Sequence, residues 1–485
     1  MKRAAAFVAL LATACTTMEP HYVRPDPAVP PSWPVGDPYL AQSEIGLPVL
    51  TYNQVFQDPR LQALIVQALV NNRDLMIAAS NIAAAREQFH IQRAQQLPTV
   101  NAGAGVTVSG DKSSDVTANY DAGLQVPSFE LDLFGRVRSL THVQLERFLA
   151  TEAGARATRL GLVANVASAW LDYAADSSLR LIAEQTAASA EKSVQLTRLR
   201  LQGGVAPRTD LDQAEQILAS AQADLARQRT AVAQDVNALQ LLVGAPIDPR
   251  LLPGSIDEAF GRIAPVPTGL DSYVLLRRPD VLQAEYQLRA ANAQIGAARA
   301  ALFPRISLTG LLGFASSALA RLFSGGAFGW SAGADATYTI FQAGAGHANV
   351  RLTEAQRNAA VASYQKTIQT AFREVSDVLA RRGTMNDQLA ALQRQQAAAA
   401  DNYQLTEARY RAGIDPFLTV LVAQRSYYTA QLQMVLTKLT AAQNIVDTYQ
   451  AIGGDTLLQT TPVCQPLPGD SSASSAKLAS QCSPM

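Results

Sequence analysis

The sequence has 485 residues, 48% of them apolar and 16% charged, so it holds ample material for a core and is not disordered by composition. Lys plus Arg and Asp plus Glu number 40 each, which excludes the large basic field of a nucleic-acid binder. The four histidines, at 21, 90, 142 and 347, are scattered singly with no second ligand at metal spacing, so neither a metal nor another cofactor is expected.

In chain order, Met1, Lys2 and Arg3 give a positive start, Ala4 to Ala12 an apolar run, and Thr13, Ala14 and Cys15 a small-residue cleavage site. This predicts a signal peptide over 1–14, too short to span a bilayer as a helix. Cys15 is then the candidate lipidation site, although Ala12 stands where a lipoprotein signal normally has Leu; an ordinary signal with an incidental cysteine is the alternative. Residues 15–52 form a Pro-rich extended segment that should lie along a surface. The pattern is helical from Asn53 to Gln96, with Asp58 and Pro59 suited to a helix start and Pro98 to its end.

The period then changes to two. Val100, Ala102, Ala104, Val106 and Val108 alternate with small or polar residues, predicting a strand over about 98–109; a second runs over about 120–134, re-aimed at Pro127 and Ser128. After Pro304 the design returns, with strands over about 305–317 and 330–341, and with Asp335 facing opposite to Trp330. That alternation suits lipid on one side and water on the other. Four strands cannot close a barrel, and an open edge in lipid leaves backbone groups unpaired, so several chains must share one barrel. Three chains with twelve strands are the smallest arrangement that leaves a wet interior. No run of eighteen apolar residues occurs to make a membrane helix.

Two long proline-free helical stretches follow the strand pairs, from Arg136 to Gly203 and from Gly346 to Ala412, each about 100 Å at 1.5 Å per residue. Leu160, Val163, Ala167, Trp170 and Ala174 form one apolar seam, and Leu162, Val166, Ala169 and Tyr173 a second, as a stave with two neighbours requires. Each long stretch ends in a motif that occurs twice. Leu196, Thr197, Arg200, Gly204, Val205 and Pro207 recur at a shift of 209 positions as Leu405, Thr406, Arg409, Gly413, Ile414 and Pro416. Return helices, Thr209 to Val243 and Phe417 to Ile452, make each copy the tip of a helical hairpin. The chain divides accordingly into repeat 1 (53–244, tip about 203–209), a Pro/Gly-rich collar segment (245–275), repeat 2 (276–454, tip about 412–417) and a Pro/Ser-rich tail (455–485). In the tail, Cys464 and Cys482 either pair in an oxidising compartment or stay free.

The segments Met18-Glu-Pro-His-Tyr-Val-Arg-Pro25, Glu130-Leu-Asp-Leu-Phe-Gly-Arg136, Leu276-Arg-Arg-Pro-Asp280, Phe303-Pro304 and Ala408-Arg-Tyr-Arg-Ala-Gly413 stand in the order found in TolC-type outer-membrane efflux factors. Over about residues 18 to 460 the chain resembles the lipoprotein branch of that family, which serves tripartite (RND-type) pumps. The resemblance implies an α+β membrane protein: a trimeric 12-strand β-barrel, four strands per chain, continuous with a 12-helix periplasmic α-barrel, with an internal two-fold repeat. It implies a non-enzymatic homotrimer that is lipid-anchored in the bacterial outer membrane. Such a channel passively conducts drugs or other small toxic compounds from the periplasm to the exterior. Its implied partners are a periplasmic adaptor (membrane fusion) protein, outer-membrane lipid and, indirectly, an inner-membrane proton-driven transporter. The hairpin tips are where such channels close and where adaptors dock, which singles out Gly204, Arg208, Asp210, Asp212, Arg411, Gly413, Asp415 and Phe417. Asp210 matches an acidic tip position, its counterpart in the second copy is Thr419, and Asp415 stands where some members carry an arginine. The resting gate is therefore expected either in another pairing of Asp210, Asp212, Arg208 and Arg411, or in packing of Phe417 and Leu418. A type I protein-secretion duct and a metal-ion efflux channel are the nearest rivals, and a non-membrane coiled-coil scaffold a remote one. A lytic enzyme is disfavoured because no carboxylate pair, Ser/His/Asp set or metal cluster recurs in a consistent place.

Overall fold

The computed structural model describes residues 17–30, 32–34, 51–110, 116–265 and 272–454. The leader over 1–14, Cys15, and the tail over 455–485 with Cys464 and Cys482 lie outside the described residues. In chain order the elements are α1 (Tyr52–Val55), α2 (Pro59–Asn71), α3 (Arg73–Ala94), β1 (Asn101–Gly110), β2 (Val116–Leu131), α4 (Arg136–Gln202), α5 (Arg208–Val243), α6 (Ile256–Phe260), α7 (Pro279–Ala300), β3 (Arg305–Ser316), β4 (Phe328–Thr337), α8 (Ala345–Arg411) and α9 (Phe417–Ala451). The order helix, two strands, long helix, return helix thus occurs twice. No helix among the described residues is long and apolar enough to cross a membrane.

The described residues form two compact units. The first, within 17–27, 80–153 and 280–367, holds one antiparallel sheet in the order β1-β2-β3-β4. β1 and β4 are its edges and are exposed along their whole length. A register shift between Val126 and Phe129 marks Pro127 and Ser128 as the bulge, because proline lacks the N–H that a central ladder needs. β2 begins at Val116 rather than near 120, because it pairs there with Gly110 of β1. β4 stops at Thr337 rather than near 341: its partner there is Arg305, the first residue of β3, so the ladder has nothing further to pair with.

In the same unit the amino-terminal segment lies in a slot along α7. Glu285, Arg289, Asn292 and Gly296 recur at spacings of 4, 3 and 4 and so share one face of that helix. Arg24 donates to Glu285 through Nε (3.0 Å) and Nη2 (2.8 Å), the Arg289 guanidinium lies 5.1 Å from the Tyr22 ring, and Asn292 Nδ2 donates to the Pro20 carbonyl at 2.8 Å. A Cβ at Gly296 would fall 2.4 Å from Glu19 Cγ, so only glycine lets the segment seat. His142 on α4 is held between Glu19 (2.9 Å) and Glu146 (3.1 Å), and these two hydrogen bonds push its pKa up to about 10. The folded pKa exceeds the unfolded value of about 6.5, so this stability is complete below about 6.5 and is lost as pH climbs through about 10. With the half-exposed ring discounted for screening, about 1–2 kcal/mol is expected. His142→Gln should lower the melting temperature at pH 7 and remove the fall that the parent protein shows through pH 10 in a melting series.

The second unit, within 28–79, 154–279 and 368–454, is built on the two hairpins α4–α5 and α8–α9. Of the α4 seams, Leu160, Val163, Ala167, Trp170 and Ala174 are buried; in the other, Leu162 and Val166 are buried while Ala169 and Tyr173 are half-buried. Trp170 Nε1 donates to the Leu251 carbonyl at 3.0 Å, which satisfies the buried indole, and elsewhere in this unit the buried Phe56 and Tyr449 rings lie 5.4 Å apart. The helical stretch expected from Asn53 to Gln96 is divided into α1, α2 and α3. Asp58 caps α2 by accepting from Arg60 N, and Asn72 breaks the run: its backbone is extended, its Nδ2 donates to the Leu242 carbonyl at 2.8 Å and its Oδ1 accepts from Leu75 N. The Pro/Gly-rich collar segment over 245–275 carries α6, capped by Ser255 Oγ accepting from Glu258 N, and a bridge between Phe56 and Ile263.

Candidate functional site

Both hairpin tips belong to the second unit, and both are made by the same local chemistry. Gly204 (φ 70°) and Gly413 (φ 77°) adopt the left-handed conformation that ends a helix without a Cβ penalty. Val205 N donates to the Arg200 carbonyl and Ile414 N to that of Arg409, both at 3.0 Å, so the last turns of α4 and α8 have their orphan acceptors filled. Pro207 and Pro416, extended at φ −75° and −70°, then start α5 and α9.

The tips differ in what their arginines do. In the second, Arg409 donates to Asp415 through Nε (2.7 Å) and Nη2 (3.0 Å), a bidentate pair that holds the Asp415 carboxyl below its ordinary range and Arg409 above its own. The residue six after Arg200 is Ala206, so Arg200 has no such carboxylate in its own tip. Its Nη2 instead donates to the carbonyls of Tyr410 (3.0 Å) and Arg411 (3.1 Å), and its guanidinium lies 4.4 Å from the Tyr410 ring. A cation thus sits on the carbonyl end of α8 and joins the hairpins. Beneath it, Val194, Ala214, Tyr410, Phe417 and Val420 form a buried cluster, with Tyr410 and Phe417 ring centres 5.4 Å apart. Further along, Tyr403 and Ser189 share a hydrogen bond of 3.0 Å between the hairpins.

Of the residues singled out by sequence, Phe417 is buried (2% exposed) whereas Leu418 is 56% exposed, so only the first of that pair packs. Arg208 lies 3.8 Å from Asp212 on its own helix, and Arg411 pairs with Glu407 at 2.6 Å rather than with Asp210 or Asp212. Asp210 stands in the first turn of α5, where a carboxylate complements the helix dipole. Sequence reasoning passed over Arg200, Tyr403, Arg409 and Tyr410; Arg200 and Arg409 were visible as one repeated position, and their opposite surroundings, Ala206 and Asp415, were the available signal. Because the Arg409 pair is solvent-exposed and closes within one tip, Asp415→Ala is expected to leave the midpoint of denaturant unfolding essentially unchanged.

The outer membrane efflux protein family matches residues 64–245 and 271–454, and the chain belongs to that family. It is 42% identical over 450 residues to the antibiotic efflux pump outer membrane protein ArpC of Pseudomonas putida, covering 91% of this chain and 93% of that one. The toluene efflux pump outer membrane protein TtgC of Pseudomonas putida is equally similar, at 42% over the same shares. Among solved structures, the open state of the Neisseria gonorrhoeae MtrE outer membrane channel is 35% identical, with a TM-score of 0.83 over 91% of this chain and 99% of that one. The family is one of efflux channels, not of enzymes.

Proposed function

We propose that the chain forms, as a homotrimer, the outer-membrane duct of a tripartite pump that exports antibiotics and apolar solvents. The observation that carries this reading is the sheet: four strands with two unpaired edges and a 73%-exposed Trp330 can satisfy their backbone and apolar face only if other copies continue the ladder within lipid. Three copies would supply twelve strands and six hairpins, and the matched element order of the two halves supports an internal repeat. The hairpin tips would face the periplasm, close the duct at rest and meet a periplasmic adaptor, with Gly204, Arg208, Asp210, Asp212, Arg411, Gly413, Asp415 and Phe417 on or under the docking surface. Lipid on Cys15 would add a second anchor; palmitate labelling lost in Cys15→Ala tests it. Antibiotics and toluene are the cargoes named for relatives, which suggests amphiphilic or apolar substrates here.

The test of the duct is direct. Full-length protein extracted from outer membranes should migrate as a trimer and give discrete conductance steps in planar bilayers, and its deletion should lower resistance to both cargo types. A monomer without conductance would overturn the reading.

A further inference from the structure

In the first unit a cavity of about 480 Å³ opens beside the amino-terminal segment, lined by Thr17, Glu19, Tyr22, His142, Glu146 and Arg289 among others. Its size falls in the range of about 300–1,000 Å³ usual for small-molecule sites. On one side two carboxylates share one cation: Glu19 Oε2 lies 2.9 Å from His142 Nδ1, and Glu146 Oε1 3.1 Å from its Nε2. Carboxylate oxygens only accept, so both ring nitrogens donate and the imidazole is charged. On the other side two cations share one carboxylate, since Arg24 and Arg289 both donate to Glu285, Arg289 through Nη2 at 2.6 Å.

Each side also keeps buried polar atoms without a hydrogen bond: Glu19 Oε1 and Glu146 Oε2 on the first, Arg289 Nε on the second. Glu146 is only 6% exposed, and a carboxylate oxygen buried without a donor is costly. An occupant that suits the cavity therefore brings N–H donors to the two carboxylates and an anionic oxygen to Arg289. A metal ion does not, because both nitrogens of His142 are committed. That leaves two carboxylate oxygens where zinc takes about four ligands and calcium about six to eight. The position of the cavity points to the source of the occupant. His142 and Glu146 stand within about 15 Å of the start of α4, at 1.5 Å per residue, and Thr17 lies against Gly135 just ahead of that helix. At the same end of the sheet, beyond β4, the exposed Tyr338, Ile340 and Phe341 form the kind of aromatic and apolar belt that sits at a membrane–water interface.

We propose that this cavity binds the phosphoethanolamine headgroup of a membrane lipid, its ammonium on Glu19 and Glu146 and a phosphate oxygen at Arg289. The ammonium supplies the N–H donors that the two carboxylates lack, and the phosphate meets the side on which arginines outnumber carboxylates. Glu19 belongs to the amino-terminal segment, Glu146 to α4 and Arg289 to α7, so one headgroup bridges all three.

Calorimetric titration of the full-length protein, delipidated and held in amphipol, with dihexanoyl phosphatidylethanolamine tests the site. Binding is expected roughly tenfold tighter than for the matching phosphatidylcholine, whose trimethylammonium has no N–H, or phosphatidylglycerol, which has no cation. In Glu146→Gln, which keeps an acceptor for His142, that preference should disappear; if this variant does not fold, Glu19→Gln carries the same expectation. Native mass spectrometry of protein extracted from outer membranes assigns the source. Retained phosphatidylethanolamine supports a lipid headgroup, whereas binding of O-phosphoethanolamine with no lipid retained would overturn the lipid in favour of a free aminophosphate. Equal affinity for the ethanolamine and choline lipids, or a preference that survives the substitutions, would overturn the site itself. Dissolved probes bind irrespective of conduction, so such a failure leaves the duct reading untouched.

Discussion

Arg200→Ala is expected to raise the open probability of the channel in planar bilayers roughly 30-fold, a shift of about 2 kcal/mol between closed and open populations. The side chain donates to the Tyr410 and Arg411 carbonyls at 3.0 and 3.1 Å and lies over the Tyr410 ring. Hydrogen bonds from a charged donor contribute about 1.5–3 kcal/mol and the ring contact about 0.5–2 kcal/mol, both reduced here by partial exposure. Separating the hairpins breaks all of these together, whereas Arg409 and Asp415 move as one tip. Arg200→Lys should fall between, since an ammonium keeps one donor direction but loses the planar fork. Unchanged open probability in the alanine variant would mean that the tips close through other contacts.

The second large effect is expected in the sheet. Gly123 and Gly313 face each other across β2 and β3, and a Cβ at Gly313 would fall 2.5 Å from the Ala122 carbonyl oxygen and 2.7 Å from Gly123 Cα. Those are backbone atoms in mid-ladder, so the clash is relieved only by parting the strands. Gly313→Val should destabilise the sheet by more than about 4 kcal/mol and abolish recovery of assembled protein from outer membranes. Gly329→Ala, in β4 with nothing within 4 Å of the added methyl, is the control and should assemble normally. Assembly of both variants at parental yield would show that the strands are further apart than this register allows.

Much of this was legible because it depends on local periodicity. Alternation at period two around Val106, Leu312 and Trp330 marked strands, and a shift of 209 positions aligned Arg200 with Arg409 and Gly204 with Gly413. Glycine in the left-handed conformation followed by proline leaves few options for a chain, so the tips could be read from residue types alone. The break at Asn72 was not readable, because an asparagine interrupts a helix only when its amide finds a partner, and the Leu242 carbonyl is 170 residues away in sequence. The same holds for the polar stripe Glu285, Arg289, Asn292 and Gly296, which reads as a solvated face until the amino-terminal segment is laid along it.

By itself the sequence determined the element types and the two hairpins with their tips, since these follow from spacing and backbone preference, while the channel class entered only through the resemblance of its motifs to a known family. Only the tertiary structure decided how charge is shared. Arg200 could have met several acids, yet it lies on the end of α8 because Ala206 leaves it no local carboxylate and Asp415 is already held by Arg409. Likewise Asn292 meets the Pro20 carbonyl, 272 positions away, only because the amino-terminal segment is laid along α7. Pairing depends on distance and burial, and neither is written in a linear chain.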